Sequence, residues 1–191
     1  VSKCWGDGLY FGATNTATHT NCEDITVVGV NSHHNRRQGM SMTGVIRGYV
    51  ENSKFNDTNG TNPQSGVDLE PNAGFVCKGI VFINCQAERN AGAGFEMLDA
   101  SNTGAVDGIT YINCPARSNG SNGLRLVSAR NVTHTGEIAN NVSHGVYAIQ
   151  GSNNLSIPRP NIHDNGGDGV QILTGSVGTS IGEGRIFNNQ G

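Results

Sequence analysis

Short apolar blocks recur along the chain at a spacing of about 27 residues, each directly after a glycine. In every block an apolar, a variable and a second apolar residue follow one another. The seven blocks are residues 9–11, 40–42, 67–69, 95–97, 124–126, 146–148 and 170–172. Successive side chains of a strand point to opposite faces. Each block therefore predicts a short strand whose outer two side chains face a core and whose middle side chain faces solvent.

An asparagine stands four residues before six of these glycines. The pairs are Asn35/Gly39, Asn62/Gly66, Asn90/Gly94, Asn119/Gly123, Asn141/Gly145 and Asn165/Gly169. Asparagine tolerates left-handed backbone at a turn, and stacked amides can hydrogen-bond from one repeat to the next. We interpret the asparagines as architectural and the glycines as residues that permit tight corners.

A second set of strand candidates lies between the glycine-led blocks. It comprises residues 25–28, 45–46, 80–83, 109–112, 132–133, 155–157 and 180–181. A repeat of about 27 residues holds three or four strands and turns but leaves no room for a crossover helix. The pattern predicts an all-β solenoid, a parallel β-helix of about seven rungs. We expect residues 1–191 to be one β-helix domain and, because the repeats reach both ends, a piece of a longer protein.

Charge and cysteine content limit the partners. The 12 Lys and Arg residues form no run and the formal net charge is −3, which argues against nucleic acid as a partner. No apolar segment of 18 residues occurs, so we expect no membrane-spanning segment. The count of 5 cysteines leaves at least one unpaired. Cys85 and Cys114 occupy equivalent positions, and we interpret them as small buried residues in a column, with a disulfide or a metal site as the alternative.

The middle residues of the seven blocks form one predicted outward column. They are Tyr10, Ser41, Asp68, Glu96, Arg125, Tyr147 and Gln171. Glu70 lies on the same face as Asp68, about 6.5 Å away along the strand, and Glu96 lies about 4.8 Å from Asp68 on the next rung. These separations match the roughly 5–9.5 Å between paired carboxylates of glycosidases. Like charges at such distances raise the pKa of at least one carboxyl group. We therefore predict Asp68, Glu70 and Glu96 as catalytic acid, base or nucleophile.

Five further side chains are predicted to bind the substrate. They are Arg36, Arg37, Arg125, Tyr147 and His144. The two consecutive arginines approach Asp68 from the preceding rung, the third arginine and the tyrosine continue the outward column, and the histidine lies at its edge. Residues 56–63 directly precede the Asp68 strand and are predicted to form a loop that could wall a cleft.

Two other interpretations of the column stay open. Glu96 and Arg125 could be an ordinary ion pair between rungs, which stabilises a protein little. The clustered carboxylates could instead hold calcium through their oxygens. Apart from that alternative we expect no cofactor and no metal. His33 and His34 are predicted to lie in a turn, where adjacent side chains diverge.

Three segments, residues 5–12, 35–42 and 56–72, resemble the right-handed parallel β-helix proteins of the pectate-lyase-like superfamily, and most of all bacteriophage tailspike polysaccharide depolymerases. The resemblance implies a right-handed coil, a polysaccharide substrate and a place outside the cell or on the virion surface. It also implies a homotrimer where the protein is a tailspike. Carried onto this chain, it places the acidic site at Asp68 and Glu70, with Arg36 and Arg37 beside them. Related mannuronan epimerases carry Asp-Pro-His-Glu on such a strand, whereas residues 68–71 here contain no histidine.

We therefore expect a polysaccharide depolymerase that acts on a bacterial surface or extracellular polysaccharide, with glycoside hydrolysis as the favoured reaction. One alternative is a polysaccharide lyase or epimerase, in which Tyr147 or His144 is the base and Arg125 neutralises a uronate. The other alternative is a non-catalytic glycan-binding adhesin or a structural rod, in which the same column only binds sugar.

Overall fold

The structure of the chain is a computed structural model that describes residues 1–12 and 20–191. These residues form 21 β-strands in three parallel sheets of seven strands each. Each strand pairs with the equivalent strands of the adjacent rungs, and the strands at the two ends of each sheet have one such partner. The predicted all-β solenoid of about seven rungs is confirmed. Within the described ranges there is no helix that could cross a membrane.

The first sheet is built from the glycine-led blocks and carries the outward column. Its strands are β1 (Leu9–Phe11), β4 (Met40–Met42), β7 (Val67–Leu69), β10 (Phe95–Leu98), β13 (Leu124–Val127), β16 (Val146–Ile149) and β19 (Val170–Ile172). The outer two side chains of each block point into the rod, as predicted, and Val67, Leu69, Phe95 and Met97 are fully buried. This alternation fixes the opposite face of the sheet as the place for polar side chains.

The second sheet contains the midway strands and supplies two of the largest core side chains, Phe82 and Tyr111. Its strands are β2 (Cys22–Val28), β5 (Val45–Glu51), β8 (Cys77–Ile83), β11 (Val106–Ile112), β14 (Arg130–His134), β17 (Asn153–Ile157) and β20 (Ser180–Ile181). Inside the rod, the rings of Phe82 and Tyr111 stack with their centroids 4.7 Å apart, and Phe95 of the first sheet lies 4.8 Å from Tyr111. Such aromatic contacts add about 0.5–1.5 kcal/mol each beyond the burial of their area.

The third sheet was not predicted strand by strand. Its strands are β3 (Asn31–His33), β6 (Lys54–Asn56), β9 (Gln86–Glu88), β12 (Ala116–Arg117), β15 (Glu137–Ala139), β18 (Asn161–His163) and β21 (Arg185–Phe187). Each is short and turns a single side chain inward, such as Phe55 or Ile138. The prediction that His33 lies in a turn is wrong, because it is the last residue of β3.

A buried asparagine ladder lies in the turns between the third sheet and the first. The amide groups of neighbouring rungs are joined, since Asn90 donates from its backbone N–H and its Nδ2 to Oδ1 of Asn119, at 3.1 and 3.0 Å. The same pattern runs on through Asn141 and Asn165 to Asn189. The ladder binds the rungs together inside the protein, as the architectural interpretation requires.

Asn62 does not belong to this ladder, although its spacing to Gly66 predicted that it would. Thr58 occupies the position instead, because its backbone N–H donates to Asn90 Oδ1 at 3.1 Å and its carbonyl accepts the N–H of Ala91 at 2.9 Å. The turn of this rung therefore contains four extra residues, 59–62, and all of them are exposed. This insertion forms a loop beside the outward column.

The glycine that opens each first-sheet strand is required by close backbone approach. A Cβ atom at Gly94 would lie 2.7 Å from the carbonyl oxygen of Gly123 and 2.9 Å from Nδ2 of Asn119. Such contacts are too short for any side chain, so the glycine column and the asparagine ladder depend on one another.

The cysteines of the described residues are free thiols. Cys85 and Cys114 are fully buried on adjacent rungs, and their Sγ atoms each lie 3.4 Å from a backbone carbonyl oxygen, of Ile83 and Ile112. These contacts agree with the interpretation of small buried residues in a column.

Candidate functional site

The outward column exists as a continuous line of paired residues along the first sheet. The pairs are Tyr10 with Ser41, Ser41 with Asp68, Asp68 with Glu96, Glu96 with Arg125, Arg125 with Tyr147, and Tyr147 with Gln171. Each side chain is therefore about 4.8 Å from the next along the rod. The predicted register, which brings Asp68 beside Glu96, is correct.

The prediction that the middle residues face solvent is wrong for the acidic part of the column. Asp68 is only 1 % exposed and Glu96 only 5 %, although both lie on the outer face of the sheet. Gln38 and Ser65 cover them: Gln38 Nε2 donates to Asp68 Oδ2 at 2.6 Å, and Ser65 Oγ donates to Glu96 Oε2 at 2.6 Å. The carboxyl groups are thus held in a polar network and largely shielded from water.

Asp68 lies in the most enclosed part of this network. The amide of Gln38 is fixed, because its Oε1 accepts the backbone N–H of Ser65 at 2.8 Å. Asp68 Oδ1 and the neighbouring Ser41 Oγ are buried and have no hydrogen-bond partner among the described residues. Burial raises the pKa of Asp68 well above its ordinary value, and the charges of Glu96 and Glu70 raise it further. A neutral carboxyl group is therefore favoured at this position.

Glu96 is paired with a cation. Arg125 Nη1 donates to Glu96 Oε1, and Ser65 holds the other carboxylate oxygen. The ion pair that the sequence left open is present, and it lies inside the acidic network, where the Arg125 side chain stays partly exposed. Glu96 and Arg125 thus offer a fixed negative and a fixed positive group at one place.

Glu70 directly follows β7 and is the most accessible of the three carboxyl groups. Partial burial raises its pKa above the ordinary value, the positive charge of Arg37 opposes that rise, and Glu96 adds to it. Arg37 is itself bound to Asp7, with Nη1 3.0 Å from Oδ2. The predicted neighbourhood of Arg37 and the carboxyl groups is therefore present.

A cleft of about 270 Å³ opens beside Glu96 and Arg125. Asn62 and Pro63 line it on the side of the inserted loop, and Ser121 contributes from a later rung. The predicted role of residues 56–63 as a cleft wall agrees with this position. Gln38 and Ser65 each stand directly before a strand glycine, a position that the sequence places at the edge of the outward column, but their covering of the carboxyl groups was not predicted.

Arg36 does not share the acidic site with Arg37. Its guanidinium carbon lies 4.7 Å from the centre of the Trp5 ring, and its Nε donates to Thr61 Oγ1 at 3.0 Å. Because adjacent side chains in the turn diverge, Arg36 lines a different pocket, on the other flank of the inserted loop.

His144 and Tyr147 form an aromatic pair further along the column, two rungs beyond Glu96. Their ring centroids are 5.2 Å apart at an interplanar angle of 16°. His144 Nδ1 accepts the backbone N–H of Asp168 at 3.0 Å, so a neutral His144 carries its proton on Nε2. His144 and Tyr147, both predicted to bind substrate, therefore lie together. Nδ1 of a neutral His144, which could accept a proton, already accepts the hydrogen bond from Asp168.

The described residues contain no group of three or more His, Cys, Asp or Glu side chains arranged to hold a metal ion.

The three stacked sheets and their polar outer column define the architectural class, a parallel β-helix. A family model described as "Right handed beta helix region" matches residues 15–186, so the chain belongs to this family. Among solved structures, it is similar to the crystal structure of pectate lyase Pel9A, with a TM-score of 0.62 and 19 % sequence identity over 99 % of this chain. Together these findings make it a right-handed parallel β-helix. At this identity the likeness to the lyase shows the fold alone.

This chain spans 50 % of the length of that pectate lyase. A search of curated protein sequences finds no match to it.

Proposed function

We propose that this β-helix is part of a carbohydrate-active enzyme that cleaves a bacterial surface or extracellular polysaccharide by glycoside hydrolysis. One observation carries the proposal: three carboxyl groups on one sheet face lie in different electrostatic environments, and one of them, Glu96, lines a cleft. Asp68 is buried and its pKa is raised, Glu70 is accessible with a raised pKa, and Glu96 is paired with Arg125. Carboxyl groups whose environments differ in this way are suited to divide the roles of acid and base.

The roles follow from access and charge. Glu70 would protonate the oxygen of the leaving sugar, because a raised pKa keeps a proton on a carboxyl group and this one reaches solvent. Glu96 would act on the anomeric carbon, either directly or through a water, as a carboxylate that Arg125 and Ser65 hold in place. The glycosidic C–O bond breaks, the hydroxyl group of a water molecule is added to the anomeric carbon, and the remaining proton of that water replaces the one that Glu70 gave to the leaving sugar. Asp68 would position Gln38 and the neighbouring carboxyl groups rather than touch the substrate.

The substrate would lie along the rod, because the column runs in that direction. Arg125 would bind sugar hydroxyls beside the scissile bond. The stacked rings of His144 and Tyr147 would bind a sugar unit two rungs beyond Glu96, about 10 Å along the rod. Arg37 would assist on the opposite side of Asp68. Such a substrate implies a place of action outside the cell or on a virion surface.

Two contacts favour hydrolysis over elimination by a lyase or epimerase. His144 Nδ1 already accepts the Asp168 N–H, which leaves a neutral His144 no free nitrogen to act as a base. The charge of Arg125 is already balanced by Glu96, which weakens its ability to neutralise a uronate. Tyr147 stays the candidate base of the elimination reaction.

The proposal is tested by incubation of the protein with a panel of bacterial exopolysaccharides and mass spectrometry of the fragments. Hydrolysis yields fragments that have gained one water per cleaved bond, and this is the expected result. Unsaturated fragments of lower mass would identify a lyase instead. Binding of a polysaccharide without any cleavage would identify an adhesin or structural rod, and gel filtration of the same sample would test the expected homotrimer.

A further inference from the structure

Trp5 projects into solvent from the turn before the first strand. Its side chain is 84 % exposed, and it is the only tryptophan of the chain. Its position in the turn is the one that Arg36 holds in the next rung, since Arg36 N–H donates to the carbonyl of Cys4 at 2.9 Å. The same position is exposed in later rungs, for example at Val142 with 70 %. The exposure of Trp5 therefore follows from where this turn position points.

Arg36 gives the exposed indole a fixed cation. The guanidinium lies over one face of the ring at 4.7 Å, and Thr61 holds it through Nε at 3.0 Å. The Nη groups of Arg36 have no hydrogen-bond partner among residues 1–12 and 20–191, and the high exposure of Trp5 leaves the second face of the indole open. A flat apolar surface and a pair of free N–H donors thus lie side by side.

The pocket around this pair is positively charged. It has a volume of about 280 Å³, and Lys3, His34 and Asn59 line it together with Trp5 and Arg36. No carboxylate of the described residues belongs to the lining, although the whole chain carries a formal net charge of −3. A local excess of cations on an acidic protein selects anionic ligands.

We propose that the Trp5–Arg36 pocket binds an acidic sugar unit, one that carries a carboxylate or a sulfate, of the polysaccharide cleaved at the Glu96 cleft. The apolar face of a sugar ring would lie on the open face of the indole, and the anionic group would accept two hydrogen bonds from Arg36. The proposal rests on the proposed function for the identity of the polymer, and it narrows that function to acidic polysaccharides.

The position of the inserted loop indicates that one polymer could bind to both the Trp5–Arg36 pocket and the Glu96 cleft. Asn59 and Gly60 of this loop line the Trp5–Arg36 pocket, while Asn62 and the adjacent Pro63 line the cleft beside Glu96. A polysaccharide that passes over the loop contacts both pockets. A nucleic acid, whose bases stack on aromatic rings and whose phosphates bind arginine, is the competing ligand.

Because Trp5 is the only tryptophan, its fluorescence reports on this pocket alone. The emission would be titrated with three acidic hexasaccharides, of galacturonate, of mannuronate and of sulfated heparin type, with a neutral hexasaccharide of glucose, and with a thymidine hexanucleotide. We expect saturable quenching by at least one acidic sugar, and weak or no quenching by the neutral sugar and the nucleotide. No quenching by any acidic sugar, or equal quenching by the neutral sugar or the nucleotide, would overturn the proposal.

Variants separate the pocket from the cleft. Arg36→Gln should weaken binding of the quenching sugar at least about tenfold, which corresponds to about 1.4 kcal/mol, whereas Arg47→Gln, which removes an exposed arginine from the second sheet, should leave it unchanged. Glu96→Gln should abolish cleavage and preserve quenching. If the wild type cleaves a polysaccharide but no acidic sugar quenches Trp5, only the proposal for the Trp5–Arg36 pocket is contradicted. If an acidic sugar quenches Trp5 but the wild type cleaves nothing, only the proposed function is contradicted. If Arg36→Gln binds the sugar as tightly as the wild type, Arg36 does not bind the anionic group.

Discussion

Gln38 donates a hydrogen bond of 2.6 Å to Asp68 across two adjacent rungs, from Nε2 to Oδ2. Because the Ser65 N–H fixes the other end of the amide, Gln38 cannot turn its oxygen toward the carboxyl group without the loss of that bond. The second oxygen of Asp68, Oδ1, is buried and has no partner in the described part of the chain. One oxygen of the group accepts a hydrogen bond, and the other is free to carry a proton.

This arrangement predicts that ionisation of Asp68 opposes folding. Burial, and then the charges of Glu96 and Glu70, raise the pKa of Asp68 in the folded protein above its ordinary value of 3.8. The unfolded chain therefore loses this proton at lower pH than the folded chain, and the wild type loses stability as the pH rises from about 4 through the folded pKa.

Asp68→Asn should remove that loss. At pH 7 we expect the variant to have a free energy of unfolding higher than the wild type by more than about 1 kcal/mol, and the difference should vanish as the pH falls and protonates Asp68. Urea unfolding of the wild type and the variant at several pH values from acidic to neutral measures this difference in the free energy of unfolding. Asp107→Asn, on the outer surface of the second sheet, is the matched control, because it makes the same exchange outside the network around Asp68. A wild type that equals Asp68→Asn at every pH would mean that Asp68 is not desolvated.

The asparagine ladder predicts a loss and a gain of stability at two positions. Asn119 accepts from Asn90 and donates to Ala87 O and Asn141 Oδ1, so Asn119→Ala leaves several buried polar groups without partners and should cost about 3 kcal/mol. Thr58 interrupts the ladder, and its buried Oγ1 has no partner among the described residues. Thr58→Asn should restore the missing amide and raise the free energy of unfolding by about 1 kcal/mol.

Urea unfolding at one pH compares these ladder variants. Asn72→Ala is the control, because Asn72 is exposed and outside the ladder, and its effect should stay within about 0.5 kcal/mol. A cost at Asn119 no larger than that at Asn72 would show that the ladder does not hold the rungs together.

Thiol reactivity tests the packing of the rod. Cys77, Cys85 and Cys114 are fully buried, and burial raises the pKa of Cys77 to about 12, whereas Cys4 and Cys22 are partly exposed. A thiol reagent at mildly alkaline pH should therefore modify 2 of the 5 cysteines in the native protein and all 5 after denaturation. Mass spectrometry identifies the modified positions. Rapid native modification of Cys85 or Cys114 would contradict the closed core.

The sequence was sufficient to predict the register of the column, because each first-sheet strand directly follows a glycine whose position no larger residue could occupy. Asp68 and Glu96 are both the second residue after that glycine, so stacked rungs must pair them. The third sheet was less predictable, because a strand such as Lys54–Asn56 turns only Phe55 inward and gives no alternation to recognise.

The burial of the acidic residues could not be read from the sequence. The atoms that cover Asp68 belong to Gln38, 30 residues earlier, and that contact depends on the direction of a side chain at a turn. The divergence of Arg36 and Arg37 depends on the same turn geometry. Asn62 was misplaced for another reason, since an inserted loop happened to repeat the spacing between asparagine and glycine that the ladder uses.

The central claim, that the acidic face of the first sheet cleaves the polysaccharide, is tested most directly by the cleavage rates of matched variants on a polymer that the wild type degrades. Glu96→Gln and Glu70→Gln each keep the side-chain volume and remove one carboxylate, and we expect either to lower the rate by about 10²–10⁴-fold. Glu51→Gln, on the second sheet, makes the same change away from the cleft and should keep the wild-type rate. Rates for Glu96→Gln and Glu70→Gln that equal the rate of Glu51→Gln, in protein that unfolds like the wild type, would contradict the account.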